Sequence, residues 1–295
     1  MVTHGKKDPI KCPLCAQPEP PFFYRENSFD YYKCPKCSLL FLYPQPTAAN
    51  LHNHYQQYLP IAPQAVKDWG DEMAPVIAVS ACFIDKLFAV PGRLLDIGCG
   101  YGFFLEAMKK RNWEVEGIEL SKPAAAIAEA RNCGLIHAHA VEEMSEMALF
   151  DVVTMFYVIE HVADPVAILK SIKKLLKPGG IIVLRYPNTS PLLAFSADLA
   201  RKLTLMQAPS HLYDFAGDSM HRVLQQAGYG YSLTTIDANT RSPHPLKRFI
   251  SCQLGRLPVW LARLSGNKIL MPGYSRVTYA SADKSMDCRL QKIHS

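Results

Sequence analysis

Arg93-Leu94-Leu95-Asp96-Ile97-Gly98-Cys99-Gly100-Tyr101-Gly102-Phe103 sets a short apolar run directly before three glycines and a helical pattern that continues to Arg111. The run reads as a buried strand, the glycines as a tight turn and the remainder as a helix. Glycine lets a backbone turn sharply and approach a ligand, while a helix start offers free N–H groups. Strand, glycine turn and helix in that order open a nucleotide-binding α/β sheet. The spacing is Gly-x-Gly-x-Gly, and Phe103 stands where a dinucleotide fingerprint has its third glycine, which disfavours NAD. Asp96, just ahead of the loop, would repel a pyrophosphate and suits a ligand with a cationic amino-acid end.

S-adenosylmethionine has such an end, and the next segment agrees with it. Trp113–Leu120 reads as a strand that closes on Glu119, 21 residues after Gly98, where a carboxylate can accept both hydroxyls of a ribose. The competing reading is a solvated strand-end acid. Downstream, Asp164-Pro165 caps a helix to Leu176, Pro178-Gly179-Gly180 is expected to stop it, and Ile181–Arg185 is a further strand. Phe215–Ala227 is amphipathic, Tyr231–Ile236 reads as a sixth strand and Arg276–Ala280 as a seventh.

Upstream, Cys12-Pro-Leu-Cys15 and Cys34-Pro-Lys-Cys37 set two thiol pairs with 18 residues between them, the spacing of a four-cysteine zinc ribbon. Four thiolates close a tetrahedral ion and leave no position for water, so Cys12, Cys15, Cys34 and Cys37 are expected to hold a structural Zn2+. The aromatic segment between the pairs supplies hairpin strands, Leu39–Tyr43 a last one, and Pro44-Gln45-Pro46 ends it. Helical periodicity follows over residues 47–92. Tyr55 and Tyr58 there are either packed core residues or the lining of a substrate pocket.

The stretches LLDIGCGYGFFLEAMKKRNWEVEGIELS, FDVVTMFYVIEHVADP and LLKPGGIIVLRYPN resemble the successive motifs of class I S-adenosylmethionine-dependent methyltransferases over roughly residues 93 to 190. The resemblance implies an α/β, Rossmann-like fold with a seven-stranded, mostly parallel sheet and an antiparallel last strand. It places the donor on Asp96, Gly98, Cys99, Gly100, Tyr101, Gly102 and Glu119, with adenine contacts at Val141 and Glu142 and Phe156 nearby. With the ribbon in front, the chain also resembles methyltransferases of sugars and secondary metabolites. The expected organisation is a zinc ribbon over 1–46, a helical cap over 47–92, the methyltransferase domain over 93–284 with a basic helical insertion at 241–270, and a loose tail at 285–295.

Methyl transfer to a hydroxyl or a C–H acid needs alignment and a general base. His211, in Ala-Pro-Ser-His-Leu-Tyr-Asp-Phe, follows the fifth strand where related enzymes build the acceptor pocket, and it is the first candidate, with Tyr213 beside it as a substrate contact. Zinc-ribbon sugar methyltransferases usually carry Glu-His there. This chain has Ser210-His211, so a carboxylate partner must come from elsewhere. Glu160-His161 is the second candidate pair. His137, His139, His221 and His244 are expected on the surface or in packing.

Composition narrows the partners. The chain has 295 residues and a formal net charge of +6. Between Ala238 and Ala282 seven basic residues stand without an acidic one, which leaves the rest at about −1 (+6 − 7) and implies no uniformly basic surface. Nucleic acid is therefore not expected, and the resemblance to zinc-ribbon sugar methyltransferases implies a small-molecule, carbohydrate-like acceptor, nucleotide- or lipid-linked. RNA methylation and non-catalytic donor binding are the competing functions. Residues 246–264 form a basic amphipathic stripe that reads as a packed arm or as a peripheral membrane contact. No apolar run of roughly 20 residues and no signal-peptide core are present, so a cytoplasmic location is expected, with the oligomeric state open.

Overall fold

The computed structural model describes residues 9–56, 58–131, 133–144, 147–189, 204–215, 218–237 and 275–283. The basic insertion at 241–270, the stripe at 246–264, the tail at 285–295 and His244 lie outside the described residues.

Three short strands, β1 (Phe22–Glu26), β2 (Phe29–Lys33) and β3 (Leu40–Leu42), form the N-terminal ribbon. Helices α1 (Ala48–Gln56) and α2 (Pro63–Leu87) follow, the latter begun by a proline whose missing N–H is no loss in a first turn. Next come β4 (Arg93–Ile97), α3 (Phe103–Lys109), β5 (Glu114–Ile118), α4 (Lys122–Ala130), β6 (Leu135–His137), β7 (Phe150–Phe156) and α5 (Pro165–Leu175). The Asp164 carboxylate accepts from the Val166 and Ala167 amides, so this cap forms as its sequence indicates. The chain closes with β8 (Leu176–Pro187), β9 (Tyr213–Asp214), α6 (Ser219–Gln226), β10 (Tyr231–Asp237) and β11 (Ser275–Ser281).

Seven strands make one sheet in the order β10-β11-β8-β7-β4-β5-β6, and β11 runs antiparallel to both of its neighbours while the β4–β8 pairs are parallel. Successive residues of a strand face opposite layers. Leu94 and Val152 accordingly pack on α2 and α3, while Leu95 and Val153 pack with α5, α6 and the ribbon. The strand order reverses at β4, and the crevice beyond the carboxyl ends of β4 and β7 is where open α/β sheets bind ligands.

Two expectations change. Pro178-Gly179-Gly180 does not end a helix: α5 stops at Leu175, Leu176 already pairs with Phe150, and the pairing resumes at Val152 and Ile181. The Pro-Gly-Gly stretch is the irregularity between those pairs, with Gly179 at φ 77°. Secondly, the helix expected from Phe215 starts at Ser219, because Tyr213 and Asp214 pair with Phe41 and Leu40 as the fourth strand of the ribbon sheet.

Candidate functional site

Both cysteine turns are built alike. Cys12 O accepts from Ala16 N and Cys34 O from Ser38 N, both at 2.9 Å, and Ala16 and Ser38 share a left-handed φ of 55° and 62°. The amides of Leu14 and Cys15 point at the Cys12 sulfur, and those of Lys36 and Cys37 at the Cys34 sulfur. The sulfurs approach to 3.6 Å (Cys12–Cys37) and 3.5 Å (Cys15–Cys34), and all four lie within 4.8 Å of one another. Tetrahedral zinc with bonds near 2.3 Å sets its sulfurs about 3.8 Å apart, so these residues fit the ion. Burial pushes the Cys12 thiol up to about 11. An ion would have to displace that proton.

A cavity of about 910 Å3 opens at the carboxyl end of β4 and β7, a volume at the upper end of ligand pockets. Gly98, Gly100, Glu119, Val141, Glu142 and Phe156 line one part of it. Gly98 has φ 72°, and a Cβ there would lie 2.4 Å from Val158 Cγ2, so only glycine fits. Glu119 Oε2 accepts from Gly100 N at 2.9 Å and Oε1 from Ser121 N at 2.8 Å; each oxygen keeps a lone pair for a further donor. Burial raises its pKa despite those amides.

Other sequence candidates stand behind this wall. Asp96 is wholly buried and accepts from Thr154 Oγ1 at 2.6 Å. Cys99 packs against Gly117, and Gly102 packs against Cys133 and Ala128. The Tyr101 hydroxyl reaches Pro60 O, and its ring packs edge-on to Trp69 at 5.3 Å. Tyr213 lies in β9, its hydroxyl donating to Ala163 O and accepting from Gln45, and it does not line the cavity.

The far part of the same cavity is lined by Tyr55, Tyr58, Glu160, His161 and His211. A short turn, Ile159–His161, carries the Glu-His pair out of β7, after Tyr157 at a left-handed φ of 60°. One oxygen of Glu160 and one ring nitrogen each of His161 and His211 lie within 4.8 Å of one another, and Glu160 and His211 are buried. His161 Nδ1 donates to Ser210 O at 2.8 Å, which leaves Nε2 with the lone pair. Burial, with the neighbouring His54, pushes His161 down to about 4 against the pull of Ser210 O. His161 is thus neutral at physiological pH and a weak base.

Sequence reading missed His54. It sits on α1 with Nε2 2.7 Å from Ser210 Oγ, and its ring adjoins Tyr55 at 5.5 Å and Tyr58 at 5.7 Å. Its i, i+4 spacing to Tyr58 was the available signal. The Tyr55 hydroxyl donates to His161 O and Ser210 O, both at 3.2 Å. His137 pairs with Glu116 at 2.9 Å and His221 is exposed with Ser232, and neither lines the cavity.

Among known proteins, a methyltransferase-domain family matches residues 70–232. A ubiquinone biosynthesis O-methyltransferase of Alkalilimnicola ehrlichii is 29% identical over 181 residues, covering 57% of this chain and 73% of that protein. Its Pseudomonas aeruginosa namesake is 35% identical over 143 residues, covering 45% of this chain and 61% of its own length. A phosphoethanolamine N-methyltransferase 2 of Haemonchus contortus, solved in complex with S-adenosyl-L-methionine, shares the fold at a TM-score of 0.55 and 13% identity, over 83% of this chain and 62% of its own. No helix among the described residues is long and apolar enough to cross a membrane.

Proposed function

The chain belongs to the methyltransferase-domain family, as a class I enzyme that uses S-adenosylmethionine, and on that premise we propose that it methylates a hydroxyl oxygen of a small ring-shaped acceptor. When bound, S-adenosylmethionine supplies an electrophilic methyl group on a sulfonium. Gly98 and Gly100 allow the donor close to the backbone, Glu119 accepts its ribose hydroxyls, and Val141, Glu142 and Phe156 flank its adenine. Asp96 sets the local charge from behind the loop, with Tyr101, Cys99 and Gly102 holding the loop's shape. The ribbon cysteines hold a structural zinc.

His211 takes the acceptor proton at a ring nitrogen as the oxygen gains its methyl, and Glu160 supplies the carboxylate that Ser210 does not. A carboxylate beside an imidazole stabilises the imidazolium that forms. His161, being a weak base, orients Ser210 O instead. The supporting observation is that one cavity carries both Glu119 beside the glycine loop and the Glu160–His161–His211 cluster.

The rings of Tyr55, Tyr58 and His161 at that end offer flat apolar walls with polar edges, which suit the faces of a sugar as the sequence resemblance suggested. A phenolic acceptor is the second reading, favoured by the relatives named for ubiquinone biosynthesis. Tritium transfer from methyl-labelled donor should be tested on nucleotide sugars and on catechols. Labelled product that His211→Asn reduces by about 100-fold or more supports the reading. Undiminished labelling in that variant removes His211 as the base.

A further inference from the structure

His211 follows a stretch, Thr204–Ser210, that forms turns and no helix or strand of the main sheet. Backbone groups that leave water need partners, and those of this stretch find several on the ribbon. Glu26, at the end of β1 and 3% exposed, accepts from Met206 N at 3.2 Å through Oε2 and from Ala208 N at 2.9 Å through Oε1. Tyr24 O–H donates to the same carboxylate at 2.8 Å. On β2, the wholly buried Tyr31 donates its hydroxyl to the backbone carbonyl of His211 at 2.8 Å. Leu42 N then donates to Leu212 O at 2.9 Å, and β3 pairs with β9. From the opposite side Leu212 N reaches Glu160 O at 2.8 Å.

A buried carboxylate is costly unless donors converge on it, and here two of the donors are amides of the stretch that leads to His211. We propose that Glu26 and Tyr31 are positioning residues that make the ribbon a template for the acceptor-side base, fixing where the His211 imidazole stands in the cavity. The ribbon thereby acts on turnover and leaves donor binding alone. The inference rests on the reading of His211 as base for its importance to turnover, while the positional claim stands on the geometry.

The test uses the full-length, zinc-loaded chain with Tyr31→Phe and, separately, Glu26→Gln. The readouts are zinc per chain, calorimetric affinity for S-adenosylmethionine, and the imidazole 15N signals of His211, assigned by their disappearance in His211→Asn. Tyr31→Phe is expected to keep its zinc and its donor affinity within about twofold while shifting or broadening the His211 signals. The His137, His139 and His221 signals should stay in place. Unmoved His211 signals in both variants overturn the proposal, as does a Tyr31→Phe chain in which all four histidines move together, since the ribbon would then act through the whole fold. Retained methylation in His211→Asn would strike the base reading alone, because the imidazole signals report position without needing an acceptor.

Discussion

Asp96 lies wholly inside the protein, and burial, reinforced by the charge of Glu119, raises its pKa from 3.8 to about 7 against the hydrogen bond from Thr154. An acid whose folded value exceeds its unfolded one is held more tightly protonated by the folded chain, so its cost to stability is absent below the unfolded value and grows as pH rises. The denaturation midpoint of the ligand-free wild type, taken relative to Asp96→Asn, should therefore fall between about pH 4 and about pH 7. The ammonium of a donor bound on the glycine loop, as proposed, would reverse the balance by favouring the carboxylate, so binding should release a proton and weaken by up to about tenfold per unit below about pH 7. Calorimetry in buffers of different ionisation enthalpy reads that proton directly, and an equal slope in Asp96→Asn would assign the effect to another group. Gly98 makes a second residue-scale prediction. With a left-handed φ and Val158 Cγ2 2.4 Å from a built Cβ, Gly98→Ala should lower stability by about 1–3 kcal/mol in denaturant titrations.

The end of α1 and the turn after it cover the glycine-loop end of the cavity, where the donor is proposed to bind. Gln56 Nε2 donates to Leu120 O at 2.7 Å, its Oε1 accepts from Lys122 N at 3.3 Å, and Leu59 and Trp69 stand over Gly100. Gln56→Ala should weaken donor binding by about 1 kcal/mol, roughly fivefold, and leave the zinc content unchanged. A titration showing full affinity would mean that the cover closes without this bridge. At this scale the sequence was legible wherever a local pattern dictates structure. The run into Gly98 and the Asp164-Pro165 cap announce themselves through periodicity and hydrogen-bonding chemistry within a few residues. Illegible features depend on distant partners. Tyr213 and Asp214 become a strand only because β3 offers a free edge, and that pairing removes Tyr213 from the cavity and delays α6 to Ser219. Glu160 could be named as a candidate from its place after β7, but its closeness to His211 is a product of folding that no spacing encodes. His54 enters the site the same way, through α1 packing on Ser210.

At the scale of the whole molecule, the seven-stranded sheet has two unequal faces. The α2 and α3 face packs without the ribbon, whereas the opposite face forms one continuous core in which Cys12, Leu14, Cys34, Cys37, Leu39 and Phe41 meet Leu95, Ile97 and the α5 and α6 residues. A ribbon that shares its core cannot unfold without exposing apolar surface of the main domain, so with zinc on its cysteines as proposed, the consequences of losing the ion should reach beyond the four thiols. They should also be graded by distance along the hydrogen-bond chain. The segment 206–214 depends on Glu26, Tyr31, Leu42 and the β3–β9 pairing, while β4, β5 and the glycine loop are held by parallel neighbours in the main sheet. Stripping zinc with a chelator should lower the thermal midpoint by several degrees and speed amide exchange at 206–214 before it does so in β4 and β5. Turnover should then be lost while donor affinity falls less than about tenfold. Donor affinity and exchange protection of β4 disappearing together with the metal would instead make ribbon and sheet a single cooperative unit. In that case the ion would stabilise the donor site as directly as it does the base.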